Sequence, residues 1–464
     1  MAVWDTLDLN RPGPKYLVIC DALAEAIAGG RLAPGRRLPS HRMLARRLKV
    51  SVGTVTRAYE EALERGLITG HVGRGSFVSH HPPSPLTVVR SSRVPPAMLD
   101  LWQNLPVAIP DVENAAWADA LGELRRTQDL SVMSRAVWSE VTERNQRSGA
   151  TWIRRVGLEV DPRNVIDCPG TMAALNAIFG AVTEPGDVVL AASLSHPVVK
   201  LIAEQYSLKL HGLPMDEHGI DPGAFEATCG QAAPKLLYCA PTIHTPTART
   251  MPVERRRAIA SVADRHGVLI VEDESAAFLL EEPLVPIAAF VPRRCFFLGD
   301  VWQALSMGLR TTYVAAPEPM VAKMSTAVAA TSGVTPPLMA EVATSWIESG
   351  MADRLIECRR AELHERNRIA REVLGDRALS SHPCGHHVWL ELPHPWRSDL
   401  FALRAERLGI AVGGSEWFHV GRDTGPEAVR ICIGNAPGRD VLRRALQRLD
   451  TLIDEPRPAA RPAH

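Results

Sequence analysis

Where strands alternate with helices, ligands sit at the carboxyl ends of the strands, and five polar groups of this sequence fall at such places. Gly170-Thr171-Met172 opens a helix after a strand, so its backbone amides can hold an anion. The run PTIHTPT, with His244, Thr245 and Thr247, follows the strand Leu236–Ala240. Glu272-Asp273 ends the strand that starts at Val268, Arg310 follows the stretch CFFLGDVWQALSMGLR, and Arg430 lies on a later strand. A single such residue is usually a turn or a surface charge. Five together read as a pocket that favours an anionic group, because arginine and helix N-termini both recognise carboxylate and phosphate. The stretch Cys295–Arg310 would supply the floor. It holds Asp300, Trp302 and Gln303 and no lysine, and whether the protein is an enzyme or only a binder turns on that absence. The run HPCGHH could also place His382, Cys384 and His386 on one strand face as metal-type ligands.

The elements that position these groups follow from periodicity. Val188–Ala192, Lys209–Leu213, Leu236–Ala240, Val268–Glu272, Phe296–Gly299 and Thr312–Ala315 are short apolar runs of strand length. Thr171–Val182, His196–Tyr206 and Val253–His266 have helical spacing. This is the alternation of a largely parallel sheet covered on both faces. After Pro336 a long helical stretch reaches about Val373. A strand (His387–Leu392), a helix (Asp399–Leu408), a strand (Val429–Ile433) and a helix (Arg439–Ile453) then make a smaller α+β domain.

A different module precedes this body. Apolar positions from Tyr16 to Ile27 are helical, and Gly29-Gly30 ends the run. Ser40 is placed to cap a helix with Met43, Leu44 and Leu48 inward and Arg42, Arg46 and Lys49 outward. After a break near Val50, Ser51 caps a second helix through Val55, Ala58, Tyr59 and Leu63 to Gly66. Two short helices joined this way read as a helix-turn-helix. Leu67–Val78 reads as a hairpin whose tip carries His71 and Arg74, a wing against the DNA backbone or minor groove. Residues 15–80 hold eleven Lys/Arg against five Asp/Glu, although the whole chain is neutral. That asymmetry places a double-stranded DNA partner at one end only. The DNA face is assigned to Ser40, His41, Arg42, Ser51, Thr54, Thr56, Arg57, His71 and Arg74, with most contacts to phosphates.

Length and composition agree with this division. The 464 residues suggest about three domains, and 46% apolar residues with 22% charged suit a globular chain with a large core. The eight cysteines are dispersed with no CxxC pair, which fits a reducing cytoplasm and not a disulfide frame or zinc ribbon. There is no signal-peptide h-region and no apolar run of membrane length. The expected organisation is a DNA-binding domain at 13–79, a Pro/Ser-rich linker at 80–96, a large α/β domain at 97–335, a small domain at 336–455 and a disordered tail at 456–464.

Two resemblances run along these divisions. The segment GRLAPGRRLPSHRMLARRLKVSVGTVTRAYEEALERGLITGHVGRGSFV resembles the winged helix-turn-helix of GntR-type bacterial regulators. Many of those proteins place Arg after the cap of the recognition helix; here it is Val52, which bears on base preference. Over roughly 97–455 the body is similar to fold type I PLP-dependent aminotransferases. LDLWQNLP, GLEVDP, MDEHGIDPGAFE, PTIHTPT, VEDE, GLR and VWLELP look like the aminotransferase-like half of MocR-type regulators, whose domain order this is.

The resemblance implies a role for each pocket residue. Asp273 matches the Asp that pairs with the pyridine nitrogen, Arg310 the phosphate-binding Arg and Arg430 the substrate-carboxylate Arg. Counting back from Gly308-Leu309-Arg310, the Schiff-base lysine falls on Gln303, and the serines before it fall on Asp300 and Trp302. The ring-stacking Tyr is His196, the Asn before Pro-Thr is Thr245, the Gly after it is Ala248, and the Tyr of the regulators' Glu-Asp-Asp-Tyr run is Ser275. The family's Gly-x-His-x-Trp-Leu strand covers HPCGHH, so no metal is expected there. An amide is neither basic nor nucleophilic, so Gln303 cannot form the imine or shuttle a proton. The expectation is a homodimeric regulator with a retired aminotransferase body, no catalytic residue and no resident cofactor, holding an amino-acid or carboxylate effector on Arg430. The alternatives are a PLP-binding regulator, or an aminotransferase holding the cofactor non-covalently through Asp273 and Arg310, and a body with no ligand at all.

Overall fold

The computed structural model describes residues 14–28, 31–32, 36–64, 67–71, 75–78, 98–127, 143–333, 335–375, 377–421 and 425–455. Arg74, the expected linker and the expected tail lie outside them, as does the side chain of His71. The chain divides into two compact units, Met1–Arg93 and Val94–His464.

In the first unit α1 (Lys15–Ala28), α2 (His41–Leu48) and α3 (Val52–Glu64) precede a hairpin of β1 (Ile68–His71) and β2 (Gly75–Val78). Ser40 caps α2 by accepting the Met43 amide at 3.4 Å. Lys49 ends the helix at φ 53, turning the chain into α3. Ser51 then accepts the Thr54 amide at 3.1 Å. Leu23, Leu44, Val55, Tyr59, Ile68 and Val78 form the core. Two expected core positions are instead exposed. Met43 is 57% and Leu63 42% accessible, while Ala45 and Ala62 take the inward places. Close helix packing selects the small side chain and turns the long one out.

The second unit is built on a seven-stranded sheet. Its strands are β4 (Val165–Cys168), β5 (Val188–Ala192), β6 (Lys209–Leu213), β9 (Leu236–Cys239), β10 (Leu269–Asp273), β11 (Cys295–Asp300) and β12 (Thr312–Ala315). Between β6 and β9 lies a short ribbon of β7 (Met215–Asp216) and β8 (Gly219–Ile220), and β3 (Leu99–Asp100) precedes them all. The order is β4-β12-β11-β10-β9-β5-β6. All neighbours are parallel except β12, which runs antiparallel to both β11 and β4. Apart from the edge strand β6, where Lys209 and His211 are exposed, the strands are buried on both faces. Leu190, Leu237, Ile270 and Phe297 enter one core, and Val189, Tyr238, Val271 and Phe296 the other.

A separate apolar core organises the smaller lobe. Its sheet runs β13 (Leu379–Ser381), β14 (Val388–Glu391), β17 (Ala428–Ile431), β16 (Gly413–Gly414), all antiparallel. Strand β15 (Ile410–Ala411) pairs with β3, so the first described segment of the body joins the lobe nearest its other end in sequence. The long helical stretch is two helices, Pro337–Ser349 and Met351–Leu374, interrupted at Gly350 with φ 82. Residues 382–387 form a turn and not a strand, so alternation does not align His382, Cys384 and His386. His382 accepts the Cys384 amide, and the Cys384 thiol meets His364 at 3.4 Å.

Candidate ligand cleft and DNA-facing surface

The reversal from β11 into β12 makes the pocket floor. β11 ends at Asp300, residues 301–306 form a turn, and the short helix Met307–Leu309 leads to Arg310, held at φ 49. Across the sheet edge, β4 ends beside Gly170, whose φ of 95 is strained for any residue with a Cβ. Gly170 is the N-cap of the helix Thr171–Val182 and contributes no side-chain cap. A Cβ built there would lie 3.7 Å from the Arg310 guanidinium carbon, so Arg310 borders the helix N-terminus. Arg310 is exposed, and among the described residues nothing pairs with it.

Asp300 fills the space below. Its carboxylate is 1% exposed. One oxygen accepts the Thr171 hydroxyl and, at 2.9 Å, the Thr312 hydroxyl; the other accepts the Trp302 amide at 2.7 Å. Burial pushes its pKa up to about 7, with the hydrogen bonds pulling the other way. Gln303, 9% exposed, follows in the turn.

At the neighbouring strand end, Asp273 accepts the Tyr238 hydroxyl at 2.8 Å through one oxygen and the Ser275 hydroxyl at 2.6 Å through the other. A carboxylate has about four acceptor sites, so it retains capacity for a further donor. Behind it, fully buried Arg256 donates to Glu274 at 2.6 Å, to Thr242 at 2.7 Å and to the Met251 carbonyl at 3.0 Å. These bonds clamp the PTIHTPT loop to the end of β10. The sequence reading missed both Tyr238 and Arg256. A tyrosine inside the run LLYC was the available signal, because a buried phenol needs a partner.

Arg430 gathers the second half of the cleft. It is 5% exposed and lies over the rings of Trp102 and Phe418, at 5.4 and 4.8 Å. It donates to the Trp102 carbonyl at 2.8 Å. Its Nε is buried without a partner, and no carboxylate pairs with it among the described residues. His196, His244 and His387 surround it. His387 meets the His244 carbonyl at 3.3 Å, and the His244 ring meets the Thr247 hydroxyl at 2.9 Å. Burial pushes His244 down to about 4 and His387 well below its usual value. Both rings are therefore neutral at pH 7 and add no charge of their own beside the guanidinium. The ring of His196 is exposed and accepts the Val198 amide at 3.2 Å, and Thr245 lies half-buried on the clamped loop.

The body residues singled out by sequence thus form three adjoining groups. Gly170, Thr171, Asp300 and Arg310 make one, Asp273 with Ser275 a second, and His196, His244 and Arg430 a third. Trp102 and Phe418 were not legible as partners of Arg430, because the β3–β15 pairing that delivers Trp102 joins residues some 300 apart in sequence.

In the first unit the assigned residues divide by role. His41 meets Thr56 at 3.2 Å and packs edge-on against Tyr59, so these two side chains join α2 to α3. Ser40 and Ser51 are caps. Arg42 and Arg57 are exposed. Ser51, Thr54 and Arg57 line an open groove of about 350 Å³ at the start of α3, together with Lys15 and Tyr16, which sequence reading passed over.

Residues 146–449 match the family described as aminotransferase class I and II. The chain belongs to that family. Residues 15–78 match the gntR family of bacterial regulatory proteins, and this fusion is the domain order of MocR-type regulators. An uncharacterised HTH-type transcriptional regulator of Bacillus subtilis, YdeF, is 26% identical over 95% of both chains. The pyridoxine biosynthesis regulator PdxR of Corynebacterium glutamicum is 24% identical over 90% of this chain and 92% of its own. Among solved structures, a kynurenine aminotransferase of Pyrococcus horikoshii superposes with a TM-score of 0.72 at 20% identity, covering 80% of this chain and 94% of its own. That likeness gives the fold. Aminotransferases of this fold usually carry pyridoxal phosphate. No helix among the described residues is long and apolar enough to cross a membrane.

Proposed function

We propose that this protein is a cytoplasmic DNA-binding transcription regulator whose aminotransferase-like body does not transaminate. In this reading the body is a dimerisation platform that senses a small amino acid or related carboxylate. The observation that carries the sensor is Arg430, a buried guanidinium with an unpartnered Nε, two aromatic walls and only neutral imidazoles around it. A carboxylate supplies what that group lacks, and bidentate pairing would use the free N–H. The loss of catalysis rests on Gln303, whose amide has no lone pair available for nucleophilic attack.

The same positions argue against a good fit for pyridoxal phosphate. There is no amine in the Cys295–Arg310 stretch, and the Asp300 carboxyl group already holds the Thr171 hydroxyl at the N-terminus of its helix. The head carries the output: Arg42, Thr54 and Arg57, with Arg74, supply contacts mostly to phosphates, and the groove at the start of α3 suits one of them. Two heads on a homodimer would read two half-sites.

Footprinting of the full-length protein on its own promoter region, with and without candidate amino acids, tests the regulatory reading. Protection that shifts with one carboxylate and is insensitive to it in Arg430→Ala supports it; absence of any specific protection sinks it. Incubation with pyridoxal phosphate, borohydride reduction and peptide mass mapping tests the catalytic part. A stoichiometric pyridoxyl group on one lysine would restore the enzyme reading.

A further inference from the structure

The N-terminus of the helix Thr171–Val182 has an unusual arrangement. Its cap, Gly170, has no side chain to offer, and the carboxyl group that holds the Thr171 hydroxyl comes from another strand, β11. Asp300 reaches across and takes the Thr171 hydroxyl and the Thr312 hydroxyl on the same oxygen. Its other oxygen holds the Trp302 amide, which fixes the turn that carries Gln303. A twelve-residue helix presents about half a positive charge at this end, together with free amides. Those are the features that make such an end bind phosphate. Here the Thr171 hydroxyl at that end is already engaged, and the group that engages it is a carboxyl 1% exposed.

The rim is different. The Arg310 guanidinium borders Gly170 and is exposed, with no partner among the described residues. The site therefore keeps a cation at its mouth and a buried carboxyl group at its base, whose negative charge builds up as the pH passes about 7. An incoming phosphate would have to displace a buried carboxylate or sit against it. Either route disfavours a dianion far more than a neutral or singly charged ligand.

We propose that the buried Asp300 carboxyl group takes the place of a ligand's phosphate, so that the body excludes pyridoxal phosphate and other phosphate esters and admits only unphosphorylated ligands. This deepens the carboxylate-sensor reading above and rests on it for the identity of the ligand, but not for the exclusion itself.

The test titrates full-length protein with three probes, inorganic phosphate, pyridoxal phosphate and unphosphorylated pyridoxal, followed by calorimetry and by thermal shift. Asp300→Ser and Asp300→Asn are compared with the unaltered chain. The expected result is that D300S binds phosphate and pyridoxal phosphate about 100-fold more tightly than the parent, that D300N gains less, and that pyridoxal is unchanged. Adding Arg310→Ala to D300S should remove the gain, since Arg310 is the remaining cation at the mouth. Parent protein that binds phosphate or pyridoxal phosphate as tightly as either variant overturns the proposal, as does a folded D300S with no gain. Should D300S not fold, D300N and the parent titration decide by the same criteria. Failure of the sensor reading shows separately: no carboxylate would bind in an Arg430-dependent way, whatever the phosphate arm gives.

Discussion

Arg430 and Asp300 are the two residues whose chemistry can be tested alone. Removing the Arg430 guanidinium deletes charge-assisted bonds worth about 1.5–3 kcal/mol, so R430A should weaken effector binding roughly ten- to hundredfold. R430K should recover only part of it, because lysine cannot form the planar fork or span Trp102 and Phe418. Calorimetry with the effector that shifts the footprint reads both. Asp300 makes a pH prediction. Its folded pKa, about 7, lies above the unfolded value of about 3.9, so the folded state holds the proton more tightly and stability falls as pH rises between those limits. Asp300→Asn removes that dependence. The melting temperature of D300N relative to the parent should rise by about 2 °C or more from pH 5 to pH 8; a difference constant with pH would contradict it. Gln303→Lys makes the third. Q303K alone should retain little pyridoxal phosphate through gel filtration, whereas Q303K with D300S should retain it, because the amine and the vacated helix end are both needed. Much of this was legible one residue at a time: Gly170, Asp273, Arg310 and Arg430 all stand at strand or helix ends. Their partners were not, since Tyr238, Trp102 and Phe418 reach the site only through strand pairing and lobe packing that local spacing does not encode.

At the scale of elements, periodicity placed the body strands and helices it named to within a residue or two, because the central strands are short apolar runs buried on both sides; it did not name the helices at 110–127, 143–154, 222–232 and 321–331. It failed where a single residue overrides the pattern. Gly350 divides what reads as one helix, and the turn at 382–387 interrupts what reads as a strand. In the head, helical spacing put Met43 and Leu63 inward, but the contact between helices admits alanine there instead. The caps carry the prediction for this scale. Ser51→Ala removes the bond to the Thr54 amide and should cost the head about 1 kcal/mol, and His41→Ala should loosen α2 from α3 as well. Chemical denaturation followed by head-specific amide exchange checks both; a change confined to the body would refute the assignment.

For the molecule as a whole, charge separates the two ends. The basic surplus of the head supplies a salt-sensitive grip, so Arg57→Ala or Arg42→Ala should each reduce the slope of log affinity against log salt by about one unit while leaving effector binding in the body intact. A dimer by light scattering and a footprint with two protected half-sites complete the expectation. Strand β3 has a mechanical part within the body: it is Leu99–Asp100, and two residues later the Trp102 carbonyl receives the Arg430 N–H. Asn435 holds the Asp100 carbonyl from the same side, at 2.8 Å. The first described strand of the body is thus tied to the Arg430 guanidinium. Gly413 sits against the Trp102 ring so closely that a Cβ there would fall 2.1 Å from it. Gly413→Ala should therefore displace Trp102 from Arg430 and weaken carboxylate binding there, which calorimetry reads.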